Sequence, residues 1–394
     1  MTKTIRAWAM TAVAVALLAA CGGSDPDVPG SGQPEGAPST KGSFTAVVSF
    51  GDSLSDLGTY APATSLTGNG QAPYFGGKFT ANSATATVWV ENLAATLGVV
   101  ITPAEVGFAG ASAKCPAAAV PALAGSCTGY GQGGSRVTDP NGIGKSGGFL
   151  TVPLKTQIAN HLARFTSFKA TDLVVVLAGN NDGFTQFGIF AATAAQIQAD
   201  AAAGRLTADQ ANLALFQAQT TAQTAMKNAA LELAGYVRSE ILGKGGKYVA
   251  LLTPLDAAVT PFGGTVPASA RPVLTALTDT FNLWLRDGLT GQPVKIIDLS
   301  AALKAVLASP GTYGITNTSV PTCDPATIQV LSAGAITDGT SLFCNSTVGA
   351  PYYGLRTGAN PTSWLFADGV HPTPGGHKII SDYVTQQLRA FGWL

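Results

Sequence analysis

The chain carries little charge. Of its 394 residues only 11% are Asp, Glu, Lys or Arg, against roughly 25% in an average soluble domain. Acidic and basic residues number 22 each, so the formal net charge is zero. Nucleic-acid-binding domains usually show a basic patch or stripe, and this balance argues against such a partner. Low charge together with 47 glycines is typical of secreted or surface proteins.

The first apolar run is too short to span a membrane. It covers residues 7–20, about 14 residues, whereas a spanning helix needs roughly 20. Lys3 and Arg6 precede the run, and no charge lies inside it. This pattern predicts a secretory signal peptide over residues 1–20.

The apolar run ends in the letters LAAC, and this ending resembles a bacterial lipobox that finishes at Cys21. The resemblance implies that Cys21 is lipidated and becomes the mature N-terminus. Ordinary cleavage beside a chance cysteine is the alternative. Gly22, rather than Asp, follows the cysteine, and by resemblance to Gram-negative lipoproteins this favours the outer membrane. A lipid anchor would hold the protein at the membrane without spanning it.

The cysteines after Cys21 form two sequence-local pairs, and the three histidines do not cluster with them. An even number of cysteines in an exported chain predicts two disulfides, and among three connectivities we favour the local one. No pair has C-x-x-C spacing, so we expect no zinc site, no other metal and no cofactor. The predicted bridges are Cys115–Cys127 and Cys323–Cys344.

Composition divides the chain into a tether and one large domain. Residues 21–43 are dominated by Gly, Pro, Ser and Asp without apolar periodicity, which predicts a flexible tether. Residues 44–394 contain no second linker of this kind and should form one domain. Within it, residues 187–242 are rich in Ala, Gln and Thr, and Gly204 separates two helical stretches. We expect a helical hairpin here, either an elongated scaffold or a cap over a cleft.

Strand and helix patterns alternate along the domain. Short apolar runs bounded by turn residues predict buried parallel strands, and apolar residues at helical spacing predict helices. The expected strands are 44–50, 173–178, 247–253 and 294–299, and the expected helices are 85–97, 154–168, 273–289 and 376–391. This alternation predicts an α/β fold whose functional site lies beyond the carboxyl ends of the parallel strands.

Ser53 follows the first predicted strand by three residues. Gly51 allows a sharp turn there, so the Ser53 hydroxyl should lie at the edge of a cleft. A serine hydroxyl is a weak nucleophile unless a base activates it. A turn serine or a helix N-cap would explain the same residue without any chemistry.

Histidine is the natural base, and the chain offers three. His161 lies within a predicted amphipathic helix, which favours a structural role, and His377 begins the final helix. His371 follows Asp368 by three residues on the loop that enters this helix. That spacing lets the carboxylate turn back onto the imidazole, fix its tautomer and stabilise the imidazolium, as in serine hydrolases.

Two further segments could hold hydrogen-bond donors for an oxyanion. Asn181 follows the strongest predicted strand, in the sequence GNND, and a side-chain amide there can donate to developing negative charge. Asn and Asp also favour ordinary turns. Gly133 and Gly134 expose backbone N–H groups in the sequence GYGQGGS, as any tight glycine loop would.

These four segments, in this order, resemble the blocks of the GDSL or SGNH hydrolase family. The blocks are GDSLSD at 51–56, YGQGGS at 130–135, GNND at 179–182 and DGVH at 368–371. Each is short, but their common order over residues 44–390 is specific. The resemblance implies a flavodoxin-like three-layer α/β/α fold with a central parallel sheet (the SGNH hydrolase fold). Family members hydrolyse esters, and some transfer acyl groups.

The resemblance also implies roles for single residues. Ser53 would be the nucleophile, His371 the base and Asp368 the partner that orients it, with an acyl-enzyme intermediate. The oxyanion hole would comprise the N–H groups of Ser53 and Gly134 and the amide of Asn181.

The second block departs from the family pattern. Gly129 stands where the family often has Asn, and Gly131 stands where it has Ala. Gly133 therefore stays open as an alternative to Gly134.

Other motifs are set aside. Residues 108–112 weakly resemble the second block but lack its paired glycine. Residues 144–148 read GKSGG and satisfy G-x-S-x-G, but that motif needs a preceding strand, and a Pro-Asn-Gly turn precedes it here. Asp139 stands where a phosphate-binding loop would need Gly, so nucleotide binding is not expected.

The sequence thus predicts an exported carboxylic ester hydrolase, an esterase or lipase, with a small-molecule or lipid ester as substrate. Membrane contact would occur only through the N-terminal anchor. An acyltransferase or phospholipase using the same site is an alternative, and a non-catalytic surface lipoprotein is a weaker one. Phe184, Phe187 and Phe190 point towards lipid-like or aromatic acyl groups, although such residues more often pack a core.

Overall fold

The computed structural model describes residues 32–65, 77–337 and 339–394, with the single residues 29 and 68. The predicted signal peptide at 1–20 and the lipobox Cys21 lie outside the described residues. The strands are β1 Ala46–Gly51, β2 Glu105–Phe108, β3 Ala111–Lys114, β4 Asp172–Leu177, β5 Tyr248–Leu252 and β6 Lys295–Ile297. The helices are α1 Ala61–Thr64, α2 Trp89–Thr96, α3 Leu154–Phe165, α4 Asn180–Ala202, α5 Ala208–Tyr236, α6 Pro261–Thr265, α7 Arg271–Gly288, α8 Leu299–Ala308, α9 Pro325–Leu331 and α10 Pro374–Ala390.

A parallel sheet forms the centre of the domain. In the described chain it has four strands in the order β1-β4-β5-β6. The segment 128–130 extends it beyond β1, because Ser49 donates its N–H to Thr128 O and accepts from Tyr130 N. With this segment counted second in sequence, the spatial order is 2-1-3-4-5, the flavodoxin-like order. The predicted fold class is therefore confirmed.

Alternate strand residues face two separate helical layers, as buried parallel strands require. Val48, Val174 and Val176 pack in a core with helices α3, α4, α5 and α7. Leu173 and Val175 point to the opposite face, where they pack with helices α2, α8 and α10. Both faces of the sheet are thus covered, and ligands have access at its carboxyl edge.

The expected hairpin segment contains α4 and α5, and α4 begins at Asn180 rather than near 187. Thr207 caps α5: its Oγ1 accepts from Gln210 N at 3.2 Å, and its N–H donates to Gln210 Oε1. The turn between the helices contains Gly204, whose positive φ suits glycine. Ala230 and Leu233 of α5 are buried in the main core. The second helix of the hairpin is therefore part of the scaffold.

Part of the predicted tether lies against the domain. Gly42 donates its N–H to Trp393 O, and the Trp393 indole donates to Pro38 O at 2.6 Å. Glu35 N donates to Gln292 O. Residues 35–43 of the predicted tether therefore contact the domain, and several of these contacts involve the fully buried Trp393.

Both local disulfides are present, as predicted, between Cys115 and Cys127 and between Cys323 and Cys344. Disulfides are typical of exported proteins. In the described part of the chain, no helix has the length and apolar character needed to cross a membrane.

Candidate active site

Ser53 lies directly beyond the carboxyl end of β1. Asp52 caps the short 3₁₀ turn Ser53–Ser55, since its Oδ1 accepts from Leu54 N at 3.1 Å. Gly51 is required at the strand end, because a Cβ there would lie 2.4 Å from Leu177 O. Burial raises the pKa of Asp52 to about 7, although the Leu54 hydrogen bond opposes this. The sharp turn leaves the Ser53 side chain partly exposed at the sheet edge.

His371 connects Ser53 to Asp368. Its Nε2 lies 2.8 Å from Ser53 Oγ, and its Nδ1 lies 2.7 Å from Asp368 Oδ2. An Nδ1–H donor to the carboxylate leaves Nε2 as an acceptor for the serine hydroxyl. The three side chains singled out from the sequence therefore form one continuous hydrogen-bonded chain.

Hydrogen bonds within the loop 366–372 place the His371 side chain beside Asp368. The Asp368 Oδ1 accepts from the backbone N–H groups of Val370 and His371, at 3.0 and 2.8 Å. Ala367 N also donates to His371 O at 2.7 Å. A carboxylate that hydrogen-bonds its own backbone two and three residues on is typical of Asx turns. The D-x-x-H spacing thus brings the imidazole back onto its carboxylate.

Asp368 is buried and anionic. Burial by itself raises the pKa of its carboxyl, but the charge of His371 and hydrogen bonds from His371 and Ser341 outweigh burial. Together they hold the pKa of Asp368 well below its ordinary value. A carboxylate that stays charged can stabilise an imidazolium on His371 throughout the neutral range.

Gly134, rather than Gly133, has a backbone N–H available. Gly133 N donates to Asp56 Oδ2 at 2.8 Å, so that donor is already used. Gly134 has a φ of 78°, and a Cβ there would lie 2.0 Å from Ile143 O, so only glycine fits. Among the hydrogen bonds of the described residues, none uses Gly134 N. Of these two backbone N–H groups, only that of Gly134 is unused among the described residues.

Asn181 lies in the first turn of α4, directly after β4. Its Nδ2 donates to Ser135 O at 2.9 Å, which uses one of the two amide hydrogens. The next residue, Asp182, accepts from Val137 N at 3.0 Å and pairs with Arg136 at 3.1 Å. The start of α4 therefore fixes the loop that carries Gly134.

Ser53, Gly134 and Asn181 line one cavity of about 660 Å³ together with Asp368 and His371. Its remaining walls are mainly apolar and aromatic, which is the usual character of small-molecule sites. They include Leu54, Phe79, Ile143, Phe149, Phe184, Phe187, Ala191, Phe262 and Val370. The four sequence blocks therefore meet at one apolar cleft.

Three residues that support His371 and Asp368 were not predicted from the sequence. Phe79 lies against the imidazole of His371, with ring centroids 4.8 Å apart. Ser341 N donates to Asp368 Oδ2 at 2.8 Å. Asn82 is buried, and its amide donates to Ser341 O at 3.1 Å. No local pattern marks Ser341, because its contribution is a backbone N–H brought in by a distant loop.

The other histidines lie outside this hydrogen-bonded chain. His161 is buried among aromatic rings, the nearest being Phe168 at 4.4 Å between centroids. His377 is fully buried and accepts from Trp89 N at Nδ1. Burial lowers the pKa of His161 to about 4 and that of His377 to about 3, so both are neutral at pH 7.

The two motifs that the sequence analysis set aside, at 108–112 and 144–148, lie in a β-hairpin and an exposed turn. Residues 108–112 belong to the β2–β3 hairpin. Ser146 of the G-x-S-x-G sequence lies in a short exposed 3₁₀ turn with no strand directly before it. Among the described residues, no group of three or more His, Cys, Asp or Glu side chains is placed to hold a metal ion.

A family model described as GDSL-like Lipase/Acylhydrolase matches residues 47–384. The chain belongs to this family. The match includes all four blocks that surround the cleft. The family match and the esterase-named relatives reported next support a hydrolase.

Curated relatives are similar to this GDSL-like hydrolase over part of its length. Esterase EstA of Pseudomonas aeruginosa is 29% identical over 149 residues, which are 36% of this chain and 20% of that protein. Esterase EstA of Pseudomonas putida gives the same values. An "Uncharacterized protein in trpE-trpG intergenic region" of Pseudomonas putida is 31% identical over 150 residues, 37% of this chain and 22% of that protein. The chain thus matches about a fifth of the length of these relatives.

Proposed function

We propose that this protein hydrolyses carboxylic esters through Ser53, His371 and Asp368. The observation that carries the proposal is the hydrogen-bonded chain from Ser53 Oγ through His371 to Asp368, with distances of 2.8 and 2.7 Å. A nucleophile bonded to a base, with the base oriented by a third group, is the arrangement that activates a serine.

The reaction follows from these contacts. Ser53 Oγ attacks the ester carbonyl while His371 Nε2 takes its proton, and Asp368 stabilises the imidazolium. The tetrahedral intermediate collapses, the C–O bond to the alcohol breaks, and the imidazolium returns the proton to that alcohol. A water molecule then attacks the acyl-enzyme carbonyl while His371 Nε2 takes its proton. The bond from the acyl carbon to Ser53 Oγ breaks, the acid leaves, and the imidazolium returns the proton to Ser53 Oγ.

The developing oxyanion needs donors that already point at it. The N–H groups of Ser53 and Gly134 and the second amide hydrogen of Asn181 serve this role in our proposal. The cavity that these residues share supports it, and so does the use of Gly133 N by Asp56. One such donor contributes about 10²–10³ in rate.

The test compares two serines. Ser53→Ala should abolish p-nitrophenyl butyrate hydrolysis and covalent labelling by a fluorophosphonate probe. Ser146→Ala, in the exposed G-x-S-x-G turn, should leave both intact. Full activity of Ser53→Ala would overturn the proposal. Added alcohols would reveal acyl transfer as ester products at the expense of the free acid.

We also propose that the protein is exported and anchored through a lipid on Cys21. The apolar run before Cys21 and the two disulfides support export. Expression of Cys21→Ala in a Gram-negative host should move the protein from the outer-membrane fraction to the soluble periplasmic fraction. Unchanged membrane fractionation of that variant would contradict the anchor.

A further inference from the structure

The lining of the active-site cleft has a small polar part and a larger apolar part. Ser53, Gly134, Asn181 and His371 form the polar part, where the ester group would react. Aromatic side chains dominate the rest. Phe184 and Phe187 project from α4, and Phe262 meets both of them at ring-centroid distances of 5.4 and 6.4 Å.

The lining carries almost no charge to bind a charged substrate. Among the described residues that line the cleft, none is Lys, Arg or Glu. The carboxylate of Asp368 is already engaged by His371 and Ser341. A phosphate or sugar acid in the cleft would lose its hydration without gaining an ionic partner, and this is costly. The lining therefore fits an uncharged, apolar group.

One face of the helix α4 lines the cleft from Asn181 to Ala191. Asn181, Phe184, Gly188 and Ala191 recur at spacings of three and four residues along α4, so they share one face. At 1.5 Å per residue, the helix extends about 15 Å from Asn181 to Ala191. With carbon–carbon bonds of about 1.5 Å at tetrahedral angles, an extended chain advances about 1.25 Å per carbon, so on the order of twelve carbons cover this length.

The far end of this face is kept open by small residues. Gly188 and Ala191 are exposed and line the cleft. A Cβ added at Gly188 would meet no atom within 4 Å, so no neighbour occupies the space beside it. A larger side chain at either position could narrow the distal half of the cleft without disturbing Asn181.

We infer that α4 forms an acyl-chain site, in which Gly188 and Ala191 admit straight acyl chains of about eight to twelve carbons. The inference rests on the proposed ester hydrolysis at Ser53. The same helix thus supplies the oxyanion donor and, two to three turns later, the wall that sets acyl length. Gly188 and Ala191 are specificity-determining positions, not catalytic residues.

The first measurement is kcat/KM for p-nitrophenyl esters from acetate to palmitate, below the concentration at which each ester aggregates. Each buried methylene should raise kcat/KM about three- to fourfold until the cleft is full, near eight to twelve carbons. Inactivation rates by p-nitrophenyl alkylphosphonates of increasing chain length provide a second readout, which deacylation does not affect.

The decisive variants are Gly188→Leu and Ala191→Phe. Each should reduce kcat/KM for the decanoate ester by about tenfold or more, while the butyrate ester changes by less than about threefold. Gly235→Leu is the matched control, because Gly235 is also a helical glycine with no atom within 4 Å of an added Cβ, and it does not line the cleft. Leucine favours helix more than glycine does, so these leucine variants should fold.

The outcomes separate this inference from the proposed function. If no ester is cleaved and no probe labels Ser53, the proposed function fails. If short esters are cleaved but kcat/KM does not depend on chain length, the acyl-chain site is wrong. It is equally wrong if Gly188→Leu and Gly235→Leu give the same chain-length dependence, or if a succinate half-ester is preferred.

Discussion

The backbone N–H of Ser341 donates a 2.8 Å hydrogen bond to Asp368 Oδ2, the same oxygen that His371 contacts. Ser341 lies three residues before Cys344, whose disulfide partner is Cys323. Cys323 N in turn donates to Ala367 O, directly before Asp368. The disulfide therefore closes a loop whose two ends both hold the segment that carries Asp368.

We expect loss of this disulfide to impair the reaction more than binding. In the double variant Cys323→Ser/Cys344→Ser, Asp368 should lose its fixed position, and kcat should fall about ten- to hundredfold with little change in KM. Steady-state kinetics at a temperature where the variant stays folded, checked by circular dichroism, provide the measurement.

The control is the other disulfide of the same chain. Cys115→Ser/Cys127→Ser should cost stability as well, since both bridges restrict the unfolded chain. It should leave kcat near the wild-type value, because the segment that bonds to Asp368 is retained. Equal losses of kcat in both double variants would show that the Cys323–Cys344 bridge acts through stability alone and does not position Asp368.

Asn181→Ala should lower kcat about 10²–10³-fold, because it removes one of the three proposed donors to the oxyanion. Asn181→Asp should be at least as inactive, since a carboxylate would repel the developing charge. Asn180→Ala is the matched control: Asn180 also lines the cleft, but its Oδ1 makes no hydrogen bond among the described residues. Asn181→Ala with wild-type kcat would remove Asn181 from the oxyanion hole.

His161→Phe should stabilise the protein against acid. His161 is buried among the rings of Phe50, Tyr130 and Phe168, and neither ring nitrogen makes a hydrogen bond among the described residues. An unpaired buried polar group costs about 1–3 kcal/mol. A phenyl ring should recover much of that cost if the pocket accepts its slightly greater volume.

The pH dependence follows from the pKa of His161, which burial lowers from 6.5 to about 4. The unfolded state then binds more protons than the folded state between these values. The contribution of neutral His161 to the free energy of unfolding is therefore fully present above about pH 6.5, and it is lost as pH falls towards 4. Urea unfolding of His161→Phe from pH 7 to 4 should show a shallower decline than wild type. An identical decline would show that His161 does not cause the acid sensitivity.

Local sequence determined the elements and the chemistry that each can carry. Apolar runs marked the strands, Gly51 and the D-x-x-H spacing marked two tight turns, and the order of the blocks identified the family. These features are encoded within a few residues, because strand burial, glycine conformation and Asx turns depend on short-range sterics and hydrogen bonds.

Only the tertiary structure decided which distant groups meet. The sequence did not show that Ser341 would donate to Asp368, that Phe79 would cover His371, or that α4 would extend from Asn181 to Ala191 along one cleft. It also missed the packing of residues 35–43 on Trp393. These contacts join segments far apart in the chain and use backbone atoms or generic apolar faces, which leave no local pattern. They exist because the sheet and its two helical layers bring those segments together when both faces are buried.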